Sequence, residues 1–216
     1  MFLNDAEADA ITGQIGRLEA RTGAQIVTAV VGKSDTYAEL PWKAFALGAA
    51  LAALAVVIED VARPQWVTAH TALIHATLIL GAGAASALLT VFVPPFARLF
   101  LRPTRRDLEV RQHAQSLFLR RELFKTRNRT GVLILVSLFE RRVEILADTG
   151  FESRVSEGEW ASVVARMTPR LREARPFHAF EEGLAAIEDL LTSKGVQFGA
   201  GADEGLSDRP IEERGV

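Results

Sequence analysis

The chain has 216 residues, a formal net charge of −2 and no cysteine, and 49% of its residues are apolar. Its length allows one domain with a real core, or a small domain joined to a membrane segment. The missing cysteines exclude disulfides, thiolate catalysis and cysteine-ligated metal sites. The near-neutral charge gives no overall field to recruit nucleic acid.

The first 14 residues, MFLNDAEADAITGQ, have neither a basic start nor an apolar stretch and do not read as a signal peptide. They open an amphipathic helix. Asn4 or Asp5 can cap it, acids fill its first turn, Ile11, Ile15 and Leu18 share one face, and Gly23 stops it. AQIVTAVV then predicts a strand from about Gln25 to Val31.

Two apolar stretches follow. The first is uncharged from Ala44 to Ile58 and is extended by Leu40 to Trp42, with Lys43 able to snorkel. The second is uncharged from Pro64 to Ala97. Its Gly81, Gly83, Ala84, Ala85 and Ser86 form a small-residue surface suited to close helix packing. Neither shows the polar residue every third or fourth position that a helix of a soluble bundle carries, so a transmembrane hairpin is expected. Lys33 and Lys43 precede the first stretch, and Arg98, Arg102, Arg105 and Arg106 follow the second, whereas the connecting loop has only Arg63. That asymmetry places both ends on the cytoplasmic side.

After the hairpin, RDLEVRQHAQSLFLRRELFKT predicts a basic helix with Leu108, Ala114 or Gln115, Phe118 and Leu119 inward. GVLILVSL is an apolar run of a strand buried on both faces, and RVEILA alternates as its half-buried antiparallel partner. SEGEWASVVARMTPRLREA opens with a capping box, Ser156 to Glu159, and should bury Trp160, Val163, Val164, Met167 and Leu171. FHAFEEGLAAIEDLLTS repeats the pattern with Phe180, Leu184, Ile187 and Leu191. The glycine-rich, charged tail from 194 is expected to be loose.

The organisation is therefore a first half-domain (1–39), a hairpin (40–100), a second half-domain (101–193) and a flexible tail (194–216). An even number of crossings returns the chain to its starting side, so the halves can form one domain.

Thr22–Gly23–Ala24–Gln25–Ile26, the run Gly131 to Val136, Glu140–Arg141 and the loop Gly150 through Glu157 resemble, in order and spacing, the TPM domain family. Residues 129–151 and the ending Leu206 to Glu212 resemble its bacterial integral-membrane branch. The resemblance implies an α/β, Rossmann-like TPM domain with a small mixed sheet, here interrupted by a two-helix transmembrane hairpin. It also implies relatives described as acid phosphatases, as binders of divalent cations and as auxiliary factors of membrane complexes. Most such relatives are exported, whereas the charge pattern here favours a cytoplasmic domain. Glu140 and Glu157 stand where many members carry aspartate.

The candidate metal ligands are Glu140, Asp148, Glu152 and Glu157, since Ca²⁺ or Mg²⁺ needs several oxygens converging on one point and strand-end loops can supply them. The alternative is that these are solvated carboxylates, with Glu157 and Glu159 serving the helix dipole. Arg102, Arg105, Arg106, Arg120, Arg121 and Lys125 are candidates for contact with membrane lipids or an acidic partner. Nucleic acid is not expected, because no stacking aromatics are interleaved. His70, His75, His113 and His178 show no metal-binding spacing, and no serine has a nucleophile-elbow context.

The expected function is that of a multi-pass protein of the bacterial inner membrane, its domain and both termini cytoplasmic. It would be a non-catalytic binding or assembly module for a membrane partner, with membrane lipids and a membrane protein complex as the expected partners. The alternative is a divalent-metal-dependent phosphatase, and whether the protein is an enzyme stays open.

Overall fold

In the computed structural model, residues 2–63, 66, 68–198 and 208–215 are described. Pro64, Gln65 and Val67 of the second apolar stretch, and Leu206 and Ser207 of the family-like ending, lie outside them. The chain divides into two compact units, one of Met1–Asp35 with Arg106–Val216 and the other of Thr36–Arg105.

The discontinuous unit is mixed α/β. Its helices are α1 (Asp5–Thr22), most of α5 (Pro103–Arg120), α6 (Glu157–Arg172) and α7 (Pro176–Ser193). Its strands are β1 (Gln25–Val31), β2 (Gly131–Ser137), β3 (Arg142–Ala147) and β4 (Ile211–Glu213), in the order β3-β2-β1-β4. β1 runs parallel to β2 from Gln25↔Gly131 to Val31↔Ser137, so the two half-domains meet in the middle of one sheet. β3 is antiparallel to β2, as a tight connection requires. Every residue of β2 is buried, which its uninterrupted apolar run predicts for an inner strand.

One face of the sheet presents Ile26, Val30, Val132, Ile134 and Val136 to Ile11, Ile15 and Leu18 of α1, and to α6 and α7 through Val163, Met167, Phe180, Leu184 and Ile187. The other face presents Val27, Ala29, Leu133 and Leu135 to Val110, Ala114 and Leu117 of α5. The caps follow the sequence: Asn4 and Glu7 form a capping box, and Gly23 closes α1 at φ 69° with its N–H donated to Glu19 O.

Two expectations need correction. The buried stripe of α5 is Val110–Ala114–Leu117, while Leu108 and Leu119 are exposed. Both stripes have helical spacing, and only the sheet decides between them. The tail is not loose throughout, because Ile211–Glu213 pairs parallel with Ala29 to Val31. Glu212 fixes this edge strand by accepting from the N–H groups of Phe2 (2.8 Å) and Leu3 (3.0 Å). Glu213 holds it to α5 through His113 Nε2 at 3.0 Å and Arg120 at 3.3 Å.

The second unit is built on α2 (Glu39–Ala62) and α3 (Ala69–Phe92), two 24-residue helices packed on each other, followed by α4 (Pro94–Arg98). At 1.5 Å per residue each long helix spans about 36 Å. Both are long and apolar enough to cross a membrane, and only 6% of the most apolar window of each is buried. They approach closely where glycine permits. A Cβ on Gly48 would meet Ala82 O at 2.8 Å, and one on Gly83 would meet the Phe45 ring at 2.8 Å. Gly81, expected on the same surface, faces open space. α3 stops because Val93 precedes Pro94 and is held out of the helical region, at φ −122° and ψ 86°.

Candidate functional site

The four candidate carboxylates are distributed over both ends of the sheet. Glu140 lies in the β2–β3 turn, beside the C-terminal ends of β1 and β2, and is 2% exposed. Its carboxylate accepts from Ser34 N–H at 2.9 Å and from the Ser137 hydroxyl, and Ser34 Oγ bonds Ser137 Oγ at 3.1 Å. The backbone closes around it, with Leu138 N–H donated to Val31 O and Phe139 N–H to Gly32 O. Glu140 therefore clasps the exit of β1 to the turn after β2.

Asp148 follows β3 at the other end. The register carries the chain from Ser137↔Arg142 to Val132↔Ala147, five residue steps that put the two sites roughly 15–20 Å apart. Asp148 is buried, accepts from its neighbour Thr149 N–H at 2.7 Å, and pairs with Arg129 Nε at 3.1 Å. Gly150 is required here, since a Cβ would lie 2.6 Å from Asn128 O and Arg129 O. Glu152 and Glu157 are exposed, and Glu157 is the first residue of α6, where the helix dipole favours an acid.

A hard divalent cation needs several oxygens at one point. Glu140 is engaged by Ser34 and Ser137, Asp148 is paired with Arg129, and the two occupy opposite ends of the sheet. Among the described residues no group of three or more His, Asp or Glu side chains is arranged to hold a metal ion. These residues do not fit the cation site that the family resemblance implies.

The basic set is likewise divided. Arg102 and Arg105 belong to the helical-hairpin unit, where Arg105 Nε is 3.1 Å from Glu39. Arg106, Arg120, Arg121 and Lys125 belong to the α/β unit. There Arg106 pairs with Asp107 (2.8 Å), Arg120 with Glu213 and Lys125 with Glu122 (2.6 Å), while Arg121 is exposed.

One titratable group, Glu144, escaped the sequence reading, and a second, Glu159, was read only as a helix-start residue. Glu144, on β3, has its carboxyl pushed above the usual range by burial, partly opposed by the cations Arg142 and Arg111. Glu159 is held down to about 2 by hydrogen bonds from Lys194 and from the Ser156 backbone and hydroxyl. Lys194 Nζ lies 2.7 Å from Glu159 and 2.9 Å from Arg154 O, so it ties α7 to the start of α6. The capping-box spacing announced the Ser156 contact; nothing in the sequence announced Lys194. A hollow of about 310 Å³ between α6 and α7 is lined by Glu159, Ser162, Arg166 and Asp189, and its ion pair, Arg166–Asp189 at 3.2 Å, is internal.

A family model described as the TPM domain matches residues 97–190, which covers β2, β3, α6 and most of α7 but neither long apolar helix. Among solved structures, the NMR structure of BA42 protein from the psychrophilic bacterium Bizionia argentinensis is similar in fold. The TM-score is 0.57 at 14% identity, over 98% of this chain and 96% of that one. No curated protein matches the chain.

Proposed function

We propose, from the premise that this chain carries a TPM domain in residues 97–190, that it is a membrane-tethered, non-catalytic module that binds or helps to assemble a membrane partner. α2 and α3 cross the bacterial inner membrane, and the α/β unit works on the cytoplasmic side. One observation carries this reading: the outer surface of the helical hairpin is apolar almost throughout. Leu47, Leu51, Leu54, Val57, Leu73, Leu78, Leu80 and Leu88 are all exposed, a surface that water penalises and lipid does not. The cation excess at the ends of the hairpin nearest the α/β sequence supports the orientation. The dispersal of Glu140 and Asp148 to opposite sheet ends removes the geometric support for a metal-dependent phosphatase.

The absence of native cysteine makes the test direct. Ala62→Cys and Ser153→Cys are introduced singly, and intact cells are treated with a membrane-impermeant maleimide. Labelling at position 62 alone is expected, together with retention of the protein in membranes washed with alkaline carbonate. Labelling at 153 alone would reverse the orientation, and labelling at both, or release by carbonate, would remove the membrane reading. Phosphomonoester hydrolysis with Mg²⁺ or Mn²⁺ that disappears in Asp148→Asn would replace the non-catalytic module by the enzyme.

A further inference from the structure

We propose that the base of the helical hairpin is a binding site for the phosphate headgroup of an anionic phospholipid, built from Lys43 and Arg102 and flanked by Trp42 and Leu99; this rests on the membrane reading above.

The chain leaves α3 through Pro94–Pro95 and makes the single-turn α4. It then turns through Leu99, Phe100 and Leu101 before α5 starts at Pro103. This detour keeps the segment alongside the first turn of α2, because Lys43 Nζ reaches Phe100 O at 3.5 Å. Trp42, beside Lys43, is 74% exposed, and Leu99 is 77% exposed. A Trp next to a Lys at the start of an apolar helix is the arrangement that settles at the headgroup level, ring in the acyl boundary and ammonium outward.

The cations here have donors to spare. Lys43 has only long contacts, 3.8 Å to Glu39 Oε1 and 3.5 Å to Phe100 O, and its side chain stays 38% exposed, so its ammonium has donors left over. Arg102 is exposed and has no ion-pair partner among the described residues. A guanidinium presents a fork of N–H donors that matches phosphate oxygens, and an ammonium adds a point charge.

The two ends of this unit also differ in charge. Lys43, Arg98, Arg102 and Arg105 face the single carboxylate Glu39 at the base, while Glu59 and Asp60 outnumber Arg63 at the tip. The excess cations at the base complement an anionic headgroup better than a zwitterionic one. Arg106, Arg120 and Lys125, each paired with a carboxylate, are not part of the site.

The test uses the full chain in a neutral detergent, with thermal unfolding followed as phosphatidylglycerol or phosphatidylcholine is added. Phosphatidylglycerol should raise the melting temperature and phosphatidylcholine should not. Lys43→Gln/Arg102→Gln should need at least tenfold more phosphatidylglycerol for the same rise, with its melting temperature in detergent alone unchanged. Lys125→Gln should respond as the parent does. Equal responses to the two lipids, or an undiminished response in the double variant, would overturn the site. Carbonate-resistant retention in pure phosphatidylcholine vesicles is measured in parallel. Retention without lipid preference rejects the headgroup site alone, and loss of retention rejects the membrane reading beneath it.

Discussion

The two units solve opposite problems with the same kinds of side chain. In the α/β unit the large aliphatics point inward: Ile11, Ile15, Leu18, Leu133, Ile134, Phe180, Leu184 and Ile187 are each fully buried. In the helical-hairpin unit they point outward, and the contact between α2 and α3 is made by Gly48, Gly83, Ala82, Ser86 and Phe45. An apolar side chain in water is stabilised by removal from solvent, so it collects in the centre. Where the surroundings are themselves apolar that drive vanishes, and small residues that let backbones approach take over the contact. The inside-out arrangement is the one that the membrane-spanning role proposed above requires of the hairpin.

Matched leucine substitutions put this contrast at risk most directly. Leu184→Ala in α7 removes a fully buried side chain and should destabilise the α/β unit by about 2–5 kcal/mol. Leu54→Ala, at a site 56% exposed in α2, should change the stability of detergent-solubilised protein by less than about 0.5 kcal/mol. Denaturant unfolding of both variants measures the difference. Equal losses would mean that the outer face of the hairpin is packed against protein and that the inside-out reading is wrong.

Much of this was legible in the sequence where one pattern dominated. α1 and α6 carry both cap and stripe, α7 carries the stripe, and the β2–β3 pair shows its inner and edge character in the change from an unbroken apolar run to alternation. α5 offered two stripes of comparable spacing, and the sheet selected Val110–Ala114–Leu117. β4 was invisible because a three-residue strand has no period to read, and the contacts that anchor it come from Glu212 and Glu213, residues typical of a solvated tail. The separation of the candidate carboxylates was hidden for a different reason. Glu140 and Asp148 are near in sequence, but the intervening residues are an extended strand, which carries the two carboxylates to opposite ends of the sheet. Short sequence separation means proximity on a helix or a loop, and distance on a strand.

A smaller effect sharpens the account of the hairpin contact itself. Gly48→Val and Gly83→Val each force a branched side chain into the α2–α3 interface. Each should cost about 1–3 kcal/mol through displaced backbone or the displaced Phe45 ring. Gly81→Val has open space around its Cβ and serves as the control: the change from glycine to a β-branched residue should leave the helix pair intact. A loss at Gly81 equal to that at Gly48 would show that the outer small residues are covered as well. Thermal unfolding in one detergent compares all three.

The smallest effect belongs to the α/β unit and to its electrostatics. Glu159 closes the capping box of α6 and also receives Lys194, and these hydrogen bonds hold its carboxyl near 2 against an ordinary 4.5. A folded-state value below the unfolded one means that the unfolded chain takes up the proton first. The contribution to stability is therefore complete above about pH 4.5 and is lost as pH falls towards 2. Glu159→Gln should lower the melting temperature at pH 7, and the gap from the parent should close as the pH is lowered through that window. Lys194→Met should reproduce part of the loss at pH 7 and leave the Ser156 part in place, because the cap does not need the cation. A gap that stayed constant from pH 7 to pH 3 would assign the effect of Glu159→Gln to altered packing and free the α6 cap from any dependence on ionisation.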